Sequence, residues 1–358
     1  MNKNNKNLTS LLKLIYCLLT ITLLWSCQKN DTVKEPIAKG IRYLLERQEP
    51  DGSWDPTKWE GNFDHYDGKI AMTALAAMAL LPYPQKETTL ACQKATEFLI
   101  SKQKKDGSIG ERNYANGIVL SYFANLISQN KKIDKQVFQL FFEQILKKQS
   151  SIGAWDYNDA NDNRNDMSIS AWVCLGLNIL KTKNEFEDAA SKPLIIINQM
   201  ISKDKEGAGD ESINTQGLST YTYGDNPNSI AGKVLRNPGT TMQAIVLFIK
   251  TTQPHLRQSN WADTAKKDQR KALFNSKTSN LYQRFFFVQC KQNGISIDQE
   301  FILNTRRILV TEQLPDGSWP LTSAPIQFGG KTMSTAFGIL ILQNLIQNHP
   351  TNNHKNKQ

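Results

Sequence analysis

Two kinds of helical pattern alternate along the chain. The first is amphipathic, as in IAKGIRYLLERQ from Ile37 to Gln48, where apolar residues recur at three- and four-residue spacing and Lys, Arg, Glu and Gln fill the rest. Such a stripe predicts a helix with one side on a core and the other in water. The second kind occupies residues 69–81, 116–128, 168–180, 241–251 and 332–346 and carries Ala, Leu, Met and Ile on nearly every face. A helix of that composition is expected to be surrounded by protein. No sustained two-residue alternation interrupts them, so strands are not expected.

The amphipathic segments recur with a common ending. IAKGIRYLLERQEPDGSW (37–54), ATEFLISKQKKDGSIG (95–110), FQLFFEQILKKQSSIGAW (138–155), a weaker IIINQMISKDKEGAG (195–209) and ILNTRRILVTEQLPDGSW (302–319) each run into an Asp-Gly-Ser-Trp-like turn. Their turn glycines, Gly52, Gly107, Gly153, Gly207 and Gly317, are 55, 46, 54 and 110 residues apart. The last interval is twice 55, so a degenerate unit is expected near 258–290, with helices at 264–274 and 280–290. Paired helices cannot bury their apolar faces alone, and closing the array into a ring removes its exposed ends. The expected fold is therefore all-α: an α6/α6 toroid over residues 37–347, with buried helices as an inner barrel and amphipathic ones as an outer ring.

The turn has its own logic. Gly adopts positive φ cheaply and Asp bonds its own backbone. Trp folds back as an apolar plug between units. The Gln three residues before Asp can bond backbone groups at the next helix end. Gln48, Trp54, Gln313 and Trp319 are thus expected to be structural staples.

Formal net charge is +10, and removing residues 1–26, with Lys3, Lys6 and Lys13 and no acid, leaves +7. This suits a basic surface, or attraction to lipid headgroups or acidic glycans. No basic run is interleaved with aromatics, so nucleic acid is not an expected partner. The start has a basic region, then an apolar run from about Leu11 to Trp25, too short for a membrane span. Leu24-Trp25-Ser26-Cys27 resembles the bacterial lipobox, which implies a signal peptide over 1–26 and an acylated Cys27 followed by a short linker to residue 36. The chain is then expected in the cell envelope, anchored to a membrane through lipid; Gln28 after the Cys favours the outer membrane under the enterobacterial sorting rule. An uncleaved anchor helix is the alternative. Cys92, Cys174 and Cys290 read as buried small hydrophobes. The polar tail, 348–358, reads as disordered.

QEPDGSW (Gln48–Trp54) and QLPDGSW (Gln313–Trp319) resemble the QW repeats of squalene and oxidosqualene cyclases, with related repeats in protein prenyltransferase β subunits. FGGKTMSTA (Phe328–Ala336) is similar to the Gly-Gly loop entering an inner helix there, and DMSISAW (Asp166–Trp172) to an entrance motif of bacterial members. The resemblance implies the terpenoid cyclase and prenyltransferase toroid over nearly all of the mature chain. The chemistry of those families is not legible. No Asp-x-Asp-Asp acid motif occurs; the nearest acidic run, Asp159 to Asp166, has different spacing and includes Arg164. Of four His, His349 and His354 lie in the tail, and His65 and His255 have no Cys or His at ligand spacing, so neither a zinc site nor another cofactor is expected.

In toroids of this kind the cavity opens beside the N-terminal ends of the inner helices, which carry free amide donors. The loops reaching those ends supply Asp67, Asp162, Asp166 and Asp225 as catalytic candidates. His65, Tyr157, Arg164, Tyr221, Tyr223 and Lys331 are ligand-binding candidates, and Tyr114 and Asn116 share the rim. Asp67 and Asp166 also fit helix caps. Trp172, Phe123, Phe285 to Phe287 and Phe337 could line an apolar barrel or simply pack a core. Three functions remain open: an envelope protein binding a lipid, an isoprenoid or another ligand; a divergent enzyme on such a lipid; and, behind both, a glycan-active lyase or hydrolase, which would need a paired-carboxylate site.

Overall fold

The computed structural model describes residues 33–62, 65–151, 153–158, 166–207, 240–252, 280–295, 297–321 and 324–346. These form eleven helices and two short 3-10 turns: α1 (33–46), α2 (His65–Leu80), α3 (Lys86–Ser101), α4 (Asn113–Ser128), α5 (Lys135–Lys147), α6 (Met167–Leu180), α7 (Glu187–Gly207), α8 (Thr240–Thr251), α9 (Leu281–Gln292), α10 (Gln299–Glu312) and α11 (Ala324–Ile346). Among the described residues the sole strand-like pairing is one bridge between Trp155 and Asp166.

The all-apolar helices close into a ring: α2 packs on α4, α4 on α6, α6 on α8, α8 on α9, α9 on α11, and α11 back on α2. The amphipathic α3, α5, α7 and α10 lie outside against α2, α4, α6 and α11. This is the expected double barrel. Its inner wall explains the composition, since Ile70 to Leu80 in α2 and Met167 to Leu177 in α6 are almost entirely buried. The degenerate unit supplies α9 to the inner ring, as its interval implied; its expected partner at 264–274 lies outside the described residues. So do the lipobox and Cys27, the tail, and the residues following Gly207, which itself ends α7.

Side chains cap two of the inner helices, α6 and α9. Asp166 receives the Ser168 and Ile169 amides at 2.9 and 3.1 Å, and Asn280 receives Gln283 N at 3.0 Å. In α11 the Gly-Gly segment is a break between two helical pieces, with Gly330 at φ 62°.

The repeat turns knit the outer ring. Gln48 Nε2 donates to Gly52 O (2.9 Å) and to Ala91 O of α3 (2.8 Å). Gln103 does the same to Gly107 O and Val137 O of α5, and Gln149 to Gly153 O and Pro193 O of α7. Gln313 bonds Gly317 O and Pro36 O of α1 at 2.9 and 2.8 Å, which joins the last unit to the first. Trp54, Trp155 and Trp319 are fully buried, and each indole N–H donates to the carbonyl ten residues earlier, at Leu44, Ile145 and Leu309.

Candidate functional site

Three inner helices place a hydroxyl group at their second residue. Tyr114 of α4, Ser168 of α6 and Tyr282 of α9 meet at the N-terminal mouth of the barrel. The Tyr282 hydroxyl lies 2.6 Å from Ser168 Oγ and 3.4 Å from the Tyr114 hydroxyl, and it accepts the Trp172 indole N–H at 3.0 Å. All four residues are buried. Burial pushes the Tyr114 phenol well above its ordinary range; bonds to Tyr282 and Trp172 oppose the shift, while Tyr157 and Asp166 add to it. The Tyr114 phenol therefore stays protonated at ordinary pH.

One turn further in, Trp172 stacks on Phe285 (5.3 Å between centroids) and Phe337 (6.1 Å), and meets Phe286 edge-on at 5.4 Å. Trp172, Phe286 and Phe337 have no exposed surface, so among the described residues these rings pack against one another inside the barrel.

The described sequence candidates are dispersed around this centre. Asp67 is 2% exposed, and its two carboxylate oxygens accept the backbone N–H groups of Glu111 and Arg112, both at 2.8 Å. It ties the start of α2 to the loop entering α4. Burial raises its pKa and those two amides oppose the rise. Asp166 caps α6, and its own N–H donates to Asp156 Oδ1 at 3.2 Å. Tyr157 packs on the core beside the mouth, and its carbonyl receives Asn113 N at 2.7 Å.

Lys331 faces the repeat turn instead of the barrel. Its Nζ pairs with Glu60 at 2.7 Å and approaches Asp316 at 3.7 Å. Lys69 pairs in the same way with Asp51 at 2.9 Å. The pairing with Glu60 raises the Lys331 pKa. Asn116 serves its own loop, accepting from Ile109 N and Gly110 N. His65 opens α2, with its side chain outside the described residues. Asp162, Arg164, Tyr221, Tyr223 and Asp225 lie outside them altogether.

Sequence reasoning missed Ser168 and Tyr282. Their signal was present, as a polar residue in the first turn of each inner helix, but only the ring brings those turns together. The thiols of Cys92, Cys174 and Cys290 are buried as expected, and burial pushes the Cys92 thiol up to about 12.

A closed inner ring inside an outer ring, with the Gln and Trp staples, defines an α/α toroid. Residues 19–120, less than half the chain, match the family described as squalene-hopene cyclase C-terminal domain. The lanosterol synthase of Candida albicans is 31% identical over 145 residues, covering 37% of this chain and 19% of its own length. That of Aspergillus fumigatus is 36% identical over 83 residues, covering 23% and 10%. The matches thus span a fifth or less of these curated relatives.

Among solved structures, the α-1,6-mannanase GH76A of Salegentibacter sp. HEL1_6 superposes with a TM-score of 0.61 at 12% identity, covering 87% of this chain and 99% of that one. The type II terpene cyclase MstE from Scytonema, in complex with geranylgeranyl dihydroxybenzoate, gives 0.58 at 14%, covering 89% and 99%. At such identities the likeness is one of fold.

Proposed function

We propose that the chain is an envelope protein, anchored through acylated Cys27, whose toroid holds a lipid of isoprenoid type at the barrel mouth without the cyclase or prenyltransferase reaction. The observation that carries the reading is the Tyr114–Ser168–Tyr282 hydroxyl cluster set against the Trp172, Phe285 and Phe337 rings. Hydroxyls favour an alcohol or carbonyl head over a diphosphate, and the buried rings behind them keep the floor of the mouth apolar. The ligand rests on the mouth, above these packed rings. The sequence lacks the Asp-x-Asp-Asp acid, and Asp67 and Asp166 spend carboxylate oxygens on backbone amides.

Native mass spectrometry of the purified full-length chain, followed by titration with a polyprenol, tests the ligand. Binding that weakens about tenfold in Tyr282→Phe supports it, the size expected for one buried hydrogen bond. No binding, or conversion of a polyprenyl substrate by the unmodified protein, rejects it; conversion would identify a divergent lipid enzyme. Cys27→Ser tests the anchor: the chain should move from the membrane to the soluble fraction and lose its acyl mass.

A second reading, a glycan-active toroid, is favoured by the fold likeness to the α-1,6-mannanase. Release of shorter sugars from an α-1,6-mannooligosaccharide would establish it in place of the first.

A further inference from the structure

The opposite end of the barrel has a chemistry of its own. Where the inner helices end, a pocket of about 420 Å³ opens, a volume within the usual range of small-molecule sites. Among its fifteen described lining residues, eight are Asn or Gln, carried by α4, α6, α9, α11 and their ends, and none is charged. In a chain with 43 Lys and Arg and 33 Asp and Glu, a pocket wall of neutral carboxamides is a selective composition.

The wall is layered. Phe285, Leu175, Leu340 and Met78 form its apolar part, and Phe285 also belongs to the aromatic stack inside the barrel. One and two turns further along the same helices come the amides.

The amides are held in place. Asn178 Nδ2 donates to Asn293 Oδ1 at 2.8 Å, and Asn293 Nδ2 to Thr251 Oγ1 at 2.8 Å; Gln292 Nε2 donates to Asn344 Oδ1 at 2.8 Å. Two acceptors are left over. Asn178 Oδ1 and Gln343 Oε1 are buried without a hydrogen-bond partner, a costly condition that a donor in the pocket would relieve.

Helix C-termini converge here, and their carbonyls would ordinarily draw cations. Basic side chains meet that demand at the helix ends themselves: Lys181 donates to Thr252 O, Lys183 to Ser128 O at 3.0 Å, and Arg306 to Leu345 O. None of these three lines the pocket.

We infer that this pocket is a binding site for a neutral carbohydrate of about disaccharide size, separate from the barrel mouth. A sugar hydroxyl both donates and accepts, as a carboxamide does, so the two can pair without charge. The apolar C–H face of a pyranose suits the Phe285, Leu175 and Leu340 layer. Hydroxyl donors would fill the vacant acceptors of Asn178 and Gln343.

The test is calorimetric titration of the purified full-length chain in detergent with maltose and cellobiose, and with a uronic-acid disaccharide and choline as charged comparisons. One neutral disaccharide should bind, and the charged probes should not. Gln343→Met keeps side-chain length and breaks no internal bond of this residue seen in the pocket; it should weaken binding about tenfold, as loss of one buried acceptor implies, without lowering the melting temperature of the unliganded protein. Asn178→Leu provides a second reading of the same wall. No binding of either neutral sugar, equal or better binding of a charged probe, or full affinity in both variants overturns the inference. Each result is independent of polyprenol binding at the mouth, so the two proposals fail separately.

Discussion

At the repeat turns, a few side chains do most of the joining. In the Asp-Gly-Ser turns, one carboxylate oxygen receives both the amide and the hydroxyl of the following Ser: Asp51 from Ser53, Asp106 from Ser108 and Asp316 from Ser318, with the hydroxyl contacts at 2.6, 2.7 and 2.6 Å. Burial pushes these carboxyls up, but the Ser contacts and nearby lysines outweigh it and leave all three below their ordinary value of 3.8. A depressed carboxylate pKa contributes stability that is present above the unfolded value and lost as pH falls through the folded one. The melting temperature should therefore hold from neutral pH down to about pH 5 and fall below about pH 4. Replacing all three Asp by Asn should lower it at neutral pH and flatten that acid limb. An acid limb of undiminished steepness in the triple variant would assign it to other carboxylates. The identity of these turn residues was legible in the sequence because the motif is local. The second bond of each Gln was legible only as a direction, since its acceptor lies on the next outer helix.

At the scale of elements, the break in α11 shows how far periodicity reaches. The apolar pattern locates the helix from residue 332 onward, yet a further helical piece precedes it from Ala324, with the break at Gly330. The reason is a neighbouring segment: Lys331 N donates to Trp59 O at 2.8 Å and Asn62 N to Phe328 O at 3.1 Å. A Cβ on Gly330 would sit 2.2 Å from Trp59 O, at a φ that side chains avoid. Gly330→Ala should thus cost about 2 kcal/mol or more, from left-handed strain and lost contact with this segment. Chemical denaturation would measure it. A cost within a few tenths of a kcal/mol would mean that the segment yields freely.

For the whole molecule, closure of the ring is the decisive contact set. Gln313 reaches Pro36, Gly317 lies against the Lys39 carbonyl, and Gly40 of α1 lies against Trp319, so the last turn and the first helix share one seam. A Cβ on Gly40 would already be 2.9 Å from the Trp319 ring and 3.0 Å from Ile339. Gly40→Leu should force the seam apart at a cost of about 1–3 kcal/mol or more. Hydrogen exchange should then quicken in α1, α10 and α11 while α4 and α6 keep their protection. Uniform acceleration throughout would indicate instead that the ring opens as one cooperative unit.

Sequence alone determined the helical class, the alternation of buried and amphipathic helices, the repeat with its hidden unit, and hence the toroid. These depend on spacing along one helix or one turn, which the order of residues contains outright. It did not determine which polar residues meet. Tyr114, Ser168 and Tyr282 are separated by 54 and 114 residues, and Asn178 and Gln343 by 165, so nothing in their local sequence marks them as partners. Closing six inner helices into a ring put the first turns at one end and the last turns at the other. That gathered hydroxyls at the mouth and carboxamides at the far side, with aromatic side chains packed between them.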